Sequence, residues 1–385
     1  MTWETVRLGD VADVVSGATP KTDVSEYWGG SVAWATPAEI SKLVDKYISR
    51  TERTLTQLGL ASSGAKLLPP NSVLLSSRAP IGLVAINTVP MATNQGFKSL
   101  VPSERILPTY LYWWLESHTA VLQSRGRGAT FLELSKSEVE RVSLPLPPLP
   151  EQRRIAAILD EADALRALNQ RQSEAIDSLV AAAFESVLTH SSGSLTTIAA
   201  LVESSQYGTS AKAGPTGTYP ILRMGNITSD GRIDLSDMKY INLEAKERSK
   251  YLVRSGDVLF NRTNSADLVG KTAVYREDEP RAFAGYLVRL RPKEPEFGDY
   301  VSGYLNSRVG KLTLRKMAKS IVGMANINAR EVQAIRLPVP ESTALKRFVA
   351  IREIADSQRR ALAARTHELD ALFASLQHRA FRGEL

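Results

Sequence analysis

The sequence predicts a mixed α/β chain built twice over. Two similar α/β domains are joined by two long antiparallel coiled-coil helices, with a pseudo-twofold internal duplication. Three observations predict this. The order of features in the first half of the 385 residues recurs about 190 residues later. Short β-branched and aromatic runs bounded by Gly, Pro and Asn alternate with helix starts at proline or acidic residues. Each half then closes in a proline-containing run followed by a long helical pattern.

The duplication can be followed segment by segment. Leu8, Val11, Ala12, Val14 and Val15 line up with Leu195, Ile198, Ala199, Leu201 and Val202. Gly17-x-Thr19-x-Lys21 lines up with Gly208-x-Ser210-x-Lys212. Asn71–Ser76 matches Gly256–Asn261, and a glycine follows each, Gly82 and Gly270. Val142–Pro147 matches Ile335–Pro340. The chain therefore divides into a first domain at 1–148, a first helix at 149–192, a second domain at 193–340 and a second helix at 341–385. Strands are predicted at 72–76, 81–86, 257–261, 271–275 and 286–290, and shorter helices at 108–117 and 299–308.

Glu151 to Leu188 contains no Gly or Pro, and Ile155, Leu159, Ala162, Leu165, Leu168, Ile176, Leu179 and Phe184 fall on one side. Phe348, Ile351, Ala355, Leu362, Leu369, Leu372 and Leu376 repeat likewise. About 36 helical residues make a rod of ~54 Å. Polar residues interrupt both seams: Asn169 and Gln172 in the first, Gln358 and Arg365 in the second. Residues 150–192 carry 4 basic and 7 acidic side chains and residues 341–385 carry 8 and 6, so the helices complement each other. They are expected to pack together, with the globules at opposite ends of the rod. Pro147 to Phe184 spans 37 residues and Pro340 to Phe381 spans 41, a difference of about one helical turn.

Composition narrows the function. There is no cysteine, which excludes disulfides and thiolate metal sites. The four histidines, His118, His190, His367 and His378, form no metal-binding spacing. No apolar run approaches ~18 residues and the N-terminus has no apolar signal core, so a cytoplasmic protein without a membrane span is expected. Net charge is +7, and it is uneven: 18 basic against 20 acidic residues to position 192, then 30 against 21. A basic surface suits a polyanion, most often nucleic acid.

Catalytic motifs are missing. Gly270-Lys271-Thr272 resembles the end of a phosphate-binding loop, but Ser265 stands where that loop needs its first glycine. No nuclease carboxylate signature, no adenine-methyltransferase tetrapeptide and no GxGxxG after a strand is present. The loops instead carry groups that contact DNA. In the first half these are Ser76–Pro80 with Arg78, the Asn94-Gln95-Gly-Phe-Lys98 loop, and Arg125-Gly-Arg127-Gly128. In the second half they are Arg223-Met-Gly-Asn226, Asn261-Arg262-Thr-Asn264-Ser265 and 315–319. Arginine pairs bidentately with guanine, and Asn or Gln with adenine. Lys21, Lys212 and Lys271 complete the candidate set.

At these residues the sequence resembles the specificity (S) subunit of type I restriction–modification systems. The resemblance is carried by Ser16–Lys21, Ser77–Gly82 and the Gly128-Ala-Thr-Phe131 segment leading to Leu144-Pro-Leu-Pro-Pro-Leu-Pro-Glu-Gln152. In the second half it is carried by Tyr219–Ile227, Phe260–Ser265, Leu268–Thr272 and Ala380–Leu385. The second half lacks the Pro-Glu-Gln run, reading Glu341-Ser-Thr-Ala-Leu345 instead. The resemblance implies two target recognition domains, each reading one half of a bipartite, gapped site in double-stranded DNA. The helices would form the spacer and dock two methyltransferase (M) subunits. Those use S-adenosylmethionine to methylate adenine, and restriction (R) subunits add ATP- and Mg-dependent translocation and cleavage. The chain itself would hold no cofactor and no catalytic residue. The alternative is a divergent nuclease or methyltransferase acting alone.

Overall fold

The computed structural model describes residues 3–128, 132–191, 193–265, 269–321 and 324–385, with the backbone alone at 264, 319–321 and 324. The chain forms two compact units. The first comprises residues 1–170 with 363–385, and the second residues 171–362. Two expectations from the sequence, the mixed α/β class and the two long helices, match what is seen.

In the first unit a five-stranded sheet runs in the order Ala12–Ser16, Lys98–Pro102, Val73–Ser77, Ile81–Asn87, Tyr47–Ile48. Its middle strand is buried along its whole length, which is why Val73, Leu74 and Leu75 follow one another without polar alternation. Glu4–Arg7 pairs antiparallel with Ser143–Leu146 beside it. The helix Pro108–Ser117 starts at its proline and buries Tyr110, Trp113 and Trp114 in the core.

The second unit repeats the construction. One of its two four-stranded sheets runs Val202–Tyr207, Leu287–Pro292, Val258–Asn261, Thr272–Val274, and Leu195–Thr197 pairs with Arg336–Pro338. The same hydroxyl clamp closes both units. Tyr110 donates to the Pro145 carbonyl at 2.8 Å, and Tyr300, on the helix Pro295–Asn306, donates to the Pro338 carbonyl at 2.5 Å. Burial pushes both phenols well above their usual range, so they remain protonated donors. Gly17 and Gly208 also share a role. A Cβ on Gly17 would come within 1.9 Å of the Asn94 oxygen, and one on Gly208 within 2.2 Å of the Ala284 oxygen.

Strand pairing corrects one detail of the repeat. Leu8 donates its N–H to Val142 at 2.8 Å and Ile198 donates to Ile335 at 3.1 Å, so Leu8 corresponds to Ile198 and not to Leu195. The apolar run Leu195, Ile198, Leu201 is spaced by three, so a slip of three residues leaves the same pattern. An irregularity between Val202 and Ser204 absorbs one residue and restores the register at Gly208.

The long helices span Leu149–Thr189 and Ser342–Ala380. In the first unit Arg166 Nε lies 2.8 Å from Asp370 Oδ1, and Asn169 Nδ2 donates to Thr366 Oγ1 at 2.7 Å. In the second unit Arg359 Nη2 lies 2.6 Å from Asp177 Oδ1, and Phe184 meets Phe348 with ring centres 5.1 Å apart. Within each unit numbers rise along one helix as they fall along the other, so the pair is antiparallel. The seam is narrower than the heptads suggested. Leu165, Leu168, Leu179 and Leu372 are exposed, as are Gln172, Gln358 and Arg365, whereas Asn169 is buried. The reason is that each helix also gives apolar positions to its globule: Ile155, Leu159 and Phe373 join the cluster of Tyr110, Trp113 and Trp114.

The four-residue difference between the helices is not found. The offset of 193 between Pro147 and Pro340 also separates Arg166 from Arg359 and Asp177 from Asp370. Phe184 and Phe381 reach the corresponding rings of Tyr300 and Tyr110 from different turns, at 5.9 and 5.6 Å. The departure at Glu341–Leu345 also has a physical reading. Gln152 is fully buried and accepts from Leu107 N at 2.8 Å while donating to the Arg105 and Pro147 carbonyls, both at 2.9 Å. Leu345 fills the same place with apolar contact.

The two units hold their helices by different chemistry. In the second, buried Asp299 faces Arg276 and Arg352, and Asp356 takes Arg276 Nε at 3.1 Å and Arg359 Nη1 at 2.9 Å. The first repeat has Thr109 and Leu159 at the positions of Asp299 and Arg352. Asp299→Thr leaves buried Arg352 with one facing carboxylate, Asp356 at 3.9 Å, in place of two, and a loss of about 1–3 kcal/mol is expected. Adding Arg352→Leu removes that charge and should recover most of it. Urea unfolding of the two variants measures both effects, and equal midpoints for single and double variants would refute the coupling.

Candidate nucleic-acid interface

Four candidate residues of the first unit, Arg78, Lys98, Arg125 and Arg127, gather around two carboxylates that sequence reasoning did not single out. Lys98 Nζ lies 3.5 Å from Glu133 Oε1 and Arg78 Nη1 lies 3.7 Å from Glu133 Oε2. Backbone bonds of 3.0 and 2.9 Å tie Arg127 to Glu133 in both directions. Arg125 and Arg127 reach Glu138 at 4.0 and 3.5 Å. Glu133 and Glu138 follow the Arg125-Gly-Arg127 pair within a few residues, and that proximity was the available signal. Lys98 is buried, while Lys21 and Gln95 are exposed.

Local folding sets these side chains. Asn94 Oδ1 accepts the Gly96 N–H at 2.8 Å, an Asx turn that bends the chain before Phe97. Gln95 is hydrogen-bonded by the Thr19 hydroxyl. The loop to Lys21 is held from below by two indoles. Trp34 Nε1 donates to the Ala18 carbonyl at 3.0 Å and Trp28 Nε1 to the Lys21 carbonyl at 3.1 Å. The Arg53 guanidinium covers the Trp28 ring at 3.5 Å. The segment 129–131 of the Gly128–Phe131 motif lies outside the described residues.

In the second unit Arg223, Asn226 and Arg262 line one cleft of about 710 Å³. Arg223 Nη2 donates to Asp237 Oδ2 and to the Asp237 carbonyl, both at 2.8 Å. Asn226 is buried, and its side chain is committed to backbone: it accepts from Arg223 N at 2.9 Å and donates to the Asp234 and Asp237 carbonyls at 2.9 and 3.0 Å. Arg262 lies with its guanidinium 5.0 Å from the ring centre of Tyr207. Tyr207 and Tyr286, both half-exposed, are neighbours that sequence reasoning missed, because nothing local distinguishes them from core tyrosines.

The remaining candidates stand apart from the cleft. Lys212 is exposed. Asn261 is fully buried at the end of its strand, and neither amide atom has a hydrogen-bond partner. Burial holds the Lys271 ammonium below its usual range. Asn264 belongs to the short strand Thr263–Asn264, and its side chain and Leu268 lie outside the described residues. Arg315 and Lys316 sit in the last turn of the helix Arg308–Met317 instead of a loop. Among the described residues no cluster of His, Asp or Glu could hold a metal ion, and no helix is long and apolar enough to cross a membrane.

Comparison with known proteins fits this arrangement. The sequence model of the type I restriction modification DNA specificity domain matches residues 1–178. The MjaIX type I restriction enzyme specificity subunit of Methanocaldococcus jannaschii is 35% identical over 185 residues, which is 48% of this chain and 43% of that protein. The chain thus spans less than half of that relative. The StySPI specificity subunit of Salmonella potsdam is 23% identical over 100% of this chain and 89% of its own. The crystal structure of a type I restriction–modification S subunit from M. genitalium superposes with a TM-score of 0.62 over 99% of this chain and 96% of that one, at 12% identity, a likeness of fold. In the domain matched by its first 178 residues, in whole-length likeness and in fold, the chain is similar to the type I restriction–modification specificity subunits.

Proposed function

We propose that this chain reads DNA for a type I restriction–modification complex. Each of its two recognition domains takes one half of a bipartite, gapped site in double-stranded DNA. Adenine methylation and restriction are then carried out by partner subunits, two methyltransferase subunits and the restriction subunits. S-adenosylmethionine, ATP and Mg belong to those partners. The observation that carries the reading is the repeated scaffold with basic side chains at the loop ends of the same strands in both units. A stand-alone nuclease or methyltransferase finds no support in the relatives, which are specificity subunits.

Two measurements test it. The chain assembled with its methyltransferase partner should enrich a two-part motif from random duplex DNA. Its affinity should fall with salt, log K against log salt sloping by about −0.9 per neutralised phosphate. Salt-independent binding without an enriched motif would reject the proposal.

A second expectation concerns Glu133, which neutralises Arg78 and Lys98 in the first unit. Glu133→Gln frees two cations at the interface. Affinity for non-specific duplex should rise, and the salt slope should steepen by about 1–2. An unchanged slope would show that this cluster does not face DNA.

A further inference from the structure

Arg78, Arg125, Arg127 and Arg223 each face a carboxylate of their own unit. Arg262 does not. Among the described residues its guanidinium makes no hydrogen bond and no ion pair, and its Nε is buried without a partner. What holds it is the face of Tyr207. Its main chain is fixed on both sides: the N–H donates to the Tyr286 carbonyl at 3.0 Å, and the carbonyl accepts from Ile327 N at 2.9 Å. A ring face orients a guanidinium but supplies no acceptor for its five N–H donors. The donors of a half-buried arginine in that state are left to groups outside the chain, water or a ligand.

The cleft around it states what such a ligand must be. Its walls are apolar at Ala213, Ile221 and Ala284, and Met224 and Tyr286 stand exposed at its edge. Its acceptors are partly engaged within the chain: Asp237 Oδ2 by Arg223, Asp234 Oδ1 by Ser236 N, and Asn226 Oδ1 by Arg223 N. The Arg262 guanidinium is a donor that none of them takes up. A group that enters must bring acceptors in a plane that suits a guanidinium fork. The O6 and N7 edge of guanine does this, and phosphate oxygens do it too. Flat apolar walls suit the ring face of a base better than a strongly hydrated phosphate.

We infer that Arg262, stacked on Tyr207, is the guanine reader of the second domain and fixes one base pair of its half-site. The inference rests on the DNA-reading function proposed above. It also separates the domains chemically. Strand pairing puts Ser77 where Arg262 stands, with the same backbone bond to Gly96 that Arg262 makes to Tyr286. Pairing also puts Ser16 opposite Lys98 where Tyr207 stands opposite Val288. At these two positions the first repeat has neither the fork nor the platform; its stacked arginine, Arg53 on Trp28, stands elsewhere in the unit.

The test uses the chain assembled with its methyltransferase partner and a randomised double-stranded DNA pool. Wild type, Arg262→Ala and Arg262→Lys are selected in parallel. The expected result is a motif with a guanine whose preference falls roughly 10-fold to 100-fold in Arg262→Ala, other positions being kept. Arg262→Lys keeps the charge and should lose most of the same preference, since it lacks the fork. A duplex with 7-deazaguanine at that position should bind wild type more weakly and Arg262→Ala unchanged. An unaltered motif overturns the inference. So does an even loss on all sequences with a shallower salt slope, which marks a phosphate contact. A wild-type complex that enriches no motif overturns the DNA-reading function itself. Because Arg262→Lys changes only the end of a stacked side chain, its motif remains readable if the alanine variant is unstable.

Discussion

The rest of the structure depends on the antiparallel contact between the two long helices inside each unit. The second unit is one continuous stretch of chain, residues 171–362, whereas the first joins residues 1–170 to 363–385. The start of one helix and the end of the other share each core. Ile155 and Phe373 meet Trp113 in one unit, and Phe348 and Phe184 meet Tyr300 in the other. Arg166 with Asp370, and Arg359 with Asp177, set the register at corresponding places. Apolar burial supplies most of the stability of such a contact, while the paired charges fix which turn meets which.

On that shared frame the two repeats use different side chains for the same task. Gln152 ties three backbone groups where Leu345 packs. Leu159 is apolar where Arg352 enters an ionic cluster. The clamp from Tyr110 or Tyr300 to a proline carbonyl is kept in both. Backbone demands are thus met twice in the same way, and side-chain demands are met by whatever satisfies the local burial.

The interfaces differ more than the scaffold. In the first unit the cations are gathered and neutralised by Glu133 and Glu138. In the second, one arginine is stacked and left without an acceptor beside a cleft. Buried strands such as Val73–Ser77 and Val258–Asn261 hold the loop ends in position, so the residues just beyond them can vary without cost to the core.

The sequence alone determined the duplication, the buried strands, the helix beginning at Pro108 and both long helices. Each of these follows from periodicity, proline placement or burial pattern, which are local. It also pointed to the loops that carry Arg78, Arg223 and Arg262. Tertiary structure decided the rest. The three-residue slip at Leu8 could be settled only by strand pairing, because Leu195, Ile198 and Leu201 repeat the same spacing. The seam could be settled only by the globules, which take helix positions that heptads assign to the partner helix. Glu133 meeting Lys98, and Tyr207 lying under Arg262, join residues 35 and 55 positions apart. No local pattern encodes which charges will be neutralised and which left open, because that depends on distances that exist only after the chain has folded.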